Sequence, residues 1–178
     1  MNVNRRRVSA LLALSPLVPW SPARANPLTM EVWRSASCGC CKDWIAYLEK
    51  NGFAVKSHET GNSQARARAG LPSKYGSCHT GIIDGYVVEG HVPVREIRRL
   101  LAERPDAIGI SVPAMPIGSP GMDGPAYGNK SEPYAVILVT RDGKAKVYQS
   151  DPGSDQGRHS GGHRNRGWVT QAVAGKFC

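Results

Sequence analysis

No stretch of this 178-residue chain is long and apolar enough to cross a bilayer. The apolar run near the start, residues 8–18, is too short to span and is broken by Pro16, which makes a membrane anchor the weaker reading of it. Dense runs of lysine and arginine are also missing. Four of the 23 basic residues and none of the 14 acidic ones fall in the first 25 positions, so the remainder is only mildly basic. That leaves no electrostatic footprint for nucleic acid. Nor are the five cysteines an even set, so in an oxidising compartment they cannot all pair within the chain.

What the start does contain is Arg5, Arg6 and Arg7, the short apolar run, and Ala23-Arg24-Ala25 as an A-x-A cleavage site. This pattern reads as an export signal over 1–25, removed from the mature protein. Asn4-Arg5-Arg6-Arg7-Val8 before a modestly apolar core resembles a twin-arginine signal, and general secretion also uses basic starts; both routes lead to the periplasm. Residues 26–149 then suit one small domain with a real core. Residues 150–178 are rich in Gly, Ser, Arg and Asn and are expected to form a low-complexity, disordered tail. His159 and His163 are spaced i, i+4 there, but Gly161 and Gly162 argue against the helix that would pair them. Terminal Cys178 is expected outside any main site.

Three cysteines fall within four residues at Cys38, Cys40 and Cys41, and Cys78 stands beside His79 downstream. The first three form a Cys-x-x-Cys motif with one extra thiol, placed just before a helical pattern at 42–51. A helix N-terminus stabilises thiolate anions. Lys42 can add to that effect or be an ordinary solvated helix residue.

Residues 28–34 alternate as a first strand that delivers the chain to the cysteine turn. Trp44, Ile45 and Leu48 mark the apolar face of the helix, Gly52 ends it, and 53–57 reads as a second strand. A short helix over 62–69 is broken at Leu71-Pro72. Strands at 80–83 and 86–89 flank Asp84-Gly85, a hairpin signal. Pro93 opens a helix to Glu103 with Val94, Ile97, Leu100 and Leu101 on its buried face. The Gly- and Pro-rich stretch 108–133 reads as a long ordered loop, and 135–140 with 144–149 as a last hairpin. The order β-α-β-α-β-β-α resembles the thioredoxin-like α/β fold, a mixed sheet with flanking helices. In that fold the loop before the third strand, here carrying Cys78, packs against the start of the first helix.

Cys38-Gly39-Cys40-Cys41, Ser77-Cys78-His79-Thr80, Asp84-Gly85-Tyr86, Glu89-Gly90-His91-Val92-Pro93 and the run Met115-Pro116-Ile117-Gly118-Ser119-Pro120-Gly121-Met122 resemble, in order, the CopG-type copper-resistance family of periplasmic metal-binding proteins. The likeness covers about 29–149. It implies a thioredoxin-like domain whose cysteines hold copper, a role in copper resistance, copper redox chemistry, and partners among periplasmic copper-handling proteins.

The donor set agrees with that metal. Cu(I) is soft and favours thiolates such as Cys38, Cys40, Cys41 and Cys78. Four thiolates on one Cu(I) would carry a large negative charge, whereas thiolates bridging several Cu(I) ions approach neutrality, so a multinuclear site is physically attractive. Zinc is a rival, but adjacent Cys40 and Cys41 do not easily both turn to one tetrahedral centre. A thiol–disulfide oxidoreductase is a second rival, with Cys38 attacking and Cys41 resolving. Against it, such enzymes normally place a cis-proline where Cys78 stands, and Cys40 invites trapped mixed pairings. The two roles combine if thiols reduce Cu(II) as they form a disulfide. His79 either ligates or tunes the metal or bonds a loop carbonyl. His58 and His91 end strands, where capping roles compete with ligation. Met115 and Met122 offer thioethers that suit Cu(I) or fill core gaps.

Overall fold

The computed structural model describes residues 27–153. The expected export signal, His159, His163 and Cys178 lie outside the described residues. Strand β1 (Leu28–Arg34) buries Met30, Val32 and Arg34, the alternation its sequence predicts. It leads through a turn, closed by the Cys38 N–H donating to the Ser35 carbonyl at 3.1 Å, into helix α1 (Gly39–Lys50). Cys41, Trp44 and Leu48 form one fully buried stripe along that helix, at i, i+3 and i+7. β2 (Phe53–His58) returns parallel to β1.

Helix α2 (Ser63–Arg68) and a 3₁₀ turn (Ser73–Tyr75) lead to β3 (His79–Ile83) and β4 (Tyr86–Glu89), an antiparallel hairpin turning at Asp84-Gly85. Helix α3 (Val94–Glu103) follows, then β5 (Ala107–Ser111), a 3₁₀ turn (Pro125–Tyr127), β6 (Tyr134–Thr140) and β7 (Ala145–Asp151). The seven strands form one mixed sheet in the order β2-β1-β3-β4-β5-β6-β7. Within it β3 runs antiparallel to both β1 and β4, an order compatible with the thioredoxin-like arrangement. The main core gathers Met30, Val32, Trp44, Leu48, Val88, Ile97, Leu100 and Ile110 between the sheet and the helices. Each such side chain contributes about 1.5–3 kcal/mol of burial.

Two expectations need correction. The stretch 108–133 is not loop throughout: β5 lies parallel to β4 at its start, pairing Val88 with Ile110. Gly109 looks like a strand breaker, but a Cβ there would lie 1.9 Å from the Val87 carbonyl oxygen, and the register to β6 shifts beside it. The glycine is what lets the backbones meet. Helix α1 also starts at Gly39 rather than Lys42, so its first turn includes the cysteines.

Candidate metal centre

The early start of α1 sets the site's geometry. Cys38 occupies the N-cap position, and Cys40 and Cys41 sit within the first turn, where the unpaired N–H groups and the helix dipole favour thiolate charge. Cys38 and Cys41 are joined in a disulfide with Cα atoms 5.4 Å apart, and the Cys40 sulfur lies 3.5 Å from that of Cys38. Cys78 closes the group from the loop before β3. All four sulfurs lie within 4.8 Å of one another. Met122 is buried in the same cluster, and Met115 and Tyr127 pack against it. Both thioethers therefore sit at the cysteines rather than in the main core.

The loop after β5 reaches the site because Gly121 lies against the helix start. A Cβ at Gly121 would fall 2.7 Å from the Trp44 backbone nitrogen and 3.0 Å from the Cys40 carbonyl oxygen, and its φ of 81° suits glycine.

A second donor group shares Cys78. His79 Nδ1 is 3.3 Å and His91 Nε2 is 3.2 Å from the Cys78 sulfur. The opposite nitrogens are committed: His79 Nε2 donates to the Gly90 carbonyl at 2.9 Å, and His91 Nδ1 donates to the Pro120 carbonyl at 2.8 Å. These carbonyls fix both tautomers and leave each ring's lone pair facing Cys78, the arrangement by which outer contacts orient metal-ligating histidines. Burial first, then the neighbouring His91, holds His79 well below its ordinary pKa, so the ring is neutral near pH 7 and can ligate. Trp44 covers His79 with ring centres 4.2 Å apart and donates to the Val92 carbonyl at 3.0 Å. His58 is not brought to this group; it bonds Glu31 at 2.8 Å and stacks on Trp33. Lys42 is exposed on the helix.

The clamp behind Cys78 escaped the sequence reading. Glu89, fully buried, accepts from the Ser77 N–H and the Thr80 hydroxyl, each at 2.6 Å, and pairs with Arg66 at 3.0 Å. Arg66 of α2 and Asn62, the residue that precedes the helix, both donate to the Ser77 carbonyl. Burial raises the Glu89 carboxyl to about 7, outweighing Thr80, Arg66 and the Ser77 N–H. The available signal was a lone acid closing the otherwise apolar strand Tyr86–Glu89.

Fold and site together define an α/β protein in which cysteines and imidazoles are gathered closely enough that they could hold a metal ion. The family described as "Protein of unknown function, DUF411" matches residues 75–122, which include Cys78, His79, His91, Met115 and Met122. Two solved structures of a copper resistance protein CopG, Form 1 and Form 2, are each 50% identical and cover 71% of this chain and 99% of theirs, with TM-scores of 0.66 and 0.65. The chain belongs to the CopG family of copper resistance proteins. No curated protein sequence matches it.

Proposed function

We propose that this protein is an exported, periplasmic copper-binding protein that holds Cu(I) through Cys38, Cys40, Cys41 and Cys78 and contributes to copper resistance. The observation that carries this reading is the convergence of four sulfurs within 4.8 Å, one of them faced by two imidazoles of fixed tautomer. Such donors fit a soft ion, and the sulfurs are close enough to bridge several Cu(I) ions rather than surround one. His79 and His91 add borderline nitrogen donors at Cys78, and Met115 and Met122 offer thioethers beside the cysteines. The CopG relatives are copper resistance proteins by name, which supports copper as the cargo.

The Cys38–Cys41 disulfide supports a redox extension of the same site. With both thiols reduced, Cys38 and Cys41 give one electron each to two Cu(II) ions. The products are two Cu(I) ions, the disulfide and two protons released from the thiols. Cys40 and Cys78 stay outside the pair and retain two thiolates for the Cu(I) formed. Re-reduction of the disulfide requires a dithiol donor.

The test is metal analysis with X-ray absorption on protein purified anaerobically, together with Cu(I) competition titration. Copper in sulfur-rich coordination, with more than one Cu(I) per chain, supports the reading. Zinc held in preference at equal concentration overturns it. A metal-free dithiol that exchanges disulfides with protein substrates would favour the plain oxidoreductase.

A further inference from the structure

A cavity of about 370 Å³, with no cysteine in its lining, lies between the start of α3, the loop after β5 and the edges of β6 and β7. Its wall includes Glu96, Asp123, Asp151, Tyr134, Arg95 and Pro120. Three carboxylates face a single guanidinium, and that guanidinium belongs to Arg95, which is mostly exposed and bonded to Glu96 Oε1 at 2.7 Å.

Glu96 is 2% exposed, yet its Oε2 has no hydrogen-bond partner. The reason is local. Glu96 is the third residue of α3, where a glutamate ordinarily reaches back to the N–H of the capping residue. The cap here is Pro93, which has no N–H to give. A buried carboxylate oxygen left unpaired is costly, and a cationic donor in the cavity removes the cost. Tyr134 shows the same negative field: burial first, then the charges of Asp151 and Glu96 and a hydrogen bond to Asp151, raise its pKa far above the ordinary phenol value.

The occupant is not a bare metal ion. Among the described residues, the groups close enough to share one ion are the cysteine set and Cys78–His79–His91, and these carboxylates are not among them. Carboxylates spread around a space of this size suit a planar cation with several divergent donors, which is what a guanidinium offers and an ammonium does not.

We propose that this cavity is a binding site for a guanidinium group, with Glu96 Oε2 as its buried acceptor and Asp123 and Asp151 at the rim. Two sources have that chemistry. One is a small free guanidine. The other is an arginine of the chain's own continuation past Gly153, which carries Arg158, Arg164 and Arg166 and leaves β7 at the lining residue Asp151.

The experiment is calorimetric titration of the full chain with agmatine at low ionic strength, with putrescine as the ammonium control. Saturable one-to-one agmatine binding is expected, weaker by about tenfold in Glu96→Gln and weaker for putrescine. The variant combining Arg158→Gln, Arg164→Gln and Arg166→Gln separates the sources. Tighter agmatine binding in that variant shows that the chain's own arginines compete for the cavity, and unchanged binding assigns it to a free guanidine. Should Glu96→Gln fail to fold, Asp123→Asn and Asp151→Asn at exposed positions carry the same test and are expected to weaken binding. The proposal is overturned if neither the wild type nor the triple variant binds agmatine saturably. It is also overturned if putrescine binds equally well, or if the carboxylate variants bind agmatine as tightly as the wild type.

Discussion

Cys38, Cys40 and Cys41 sit on a helix start that no side chain caps, whereas Cys78 hangs from a loop held by Glu89, Arg66, Asn62 and two histidines. The first region is tied mainly through sulfur: a disulfide, a sulfur–sulfur contact and a thioether cluster. Polar bonds of fixed direction hold the second. The difference suits the roles proposed for the two regions. Sulfurs at the helix start can change pairing without dismantling a hydrogen-bond network, while Cys78 and its imidazoles keep their geometry through the change. The redox cycle proposed above needs both halves.

The largest expected effect is at the residue the two regions share. Cys78→Ser removes a donor from both ligand groups, so Cu(I) affinity should fall by more than about 100-fold, exceeding even the large loss in Cys40→Ser. Competition titration of the two reduced variants checks this. Equal losses would mean that the imidazole side contributes nothing.

Glu89→Gln sharpens the comparison through pH. The Glu89 carboxyl, raised from 4.5 to about 7, holds its proton more tightly folded than unfolded. Its contribution is therefore full below 4.5 and is lost as pH rises through 7, a change of roughly 3 kcal/mol. His79 acts in the opposite sense: its depressed pKa means the unfolded chain takes the proton first, so its contribution is lost as pH falls below 6.5. In the wild type the two partly cancel. The metal-free Glu89→Gln protein should gain roughly 3 kcal/mol relative to wild type between pH 4.5 and 7.5. Urea unfolding across that range measures it, and parallel curves would show that Glu89 does not titrate there.

A smaller effect is expected at the thioethers. Met122→Leu preserves apolar volume at the cluster and removes only a soft donor, so stability should change by less than about 1.5 kcal/mol while Cu(I) affinity falls several-fold. Unchanged affinity would confine Met122 to packing. Smallest of all, Lys144→Gln breaks the exposed pair with Asp142 on the β6–β7 hairpin, which supplies no donor to either region. It should leave Cu(I) affinity unchanged in the same titration.

Most of the frame was legible because its signals were periodic. β1 alternates, the stripe of α1 repeats on one face, and Asp84-Gly85 announces its hairpin. Strand β5 was not, since Gly109 between Ile108 and Ile110 has the composition of a break, and only the nearby Val87 backbone shows why a glycine is needed there. The first turn of α1 was hidden by Gly39 and two cysteines, poor helix formers that tertiary contacts overrule. At the site, residue type singled out the clustered cysteines, whereas His91 looked as much like a strand cap as a ligand until its Nε2 was found 3.2 Å from the Cys78 sulfur. The Glu89–Arg66 clamp depends on α2 folding over the Cys78 loop, a contact no local pattern encodes. Glu96 resembled any acid on an amphipathic helix until its missing partner at Pro93 was apparent.

The central claim is that one reduced site joins the cysteine turn to the Cys78 imidazoles around copper. X-ray absorption at the copper edge on the anaerobically reduced, Cu(I)-loaded chain tests it most directly. The account predicts sulfur-dominated coordination with a copper–copper vector and a nitrogen contribution that disappears in a His79→Ala, His91→Ala variant. Coordination without sulfur, or a spectrum identical in the histidine variant, would contradict it.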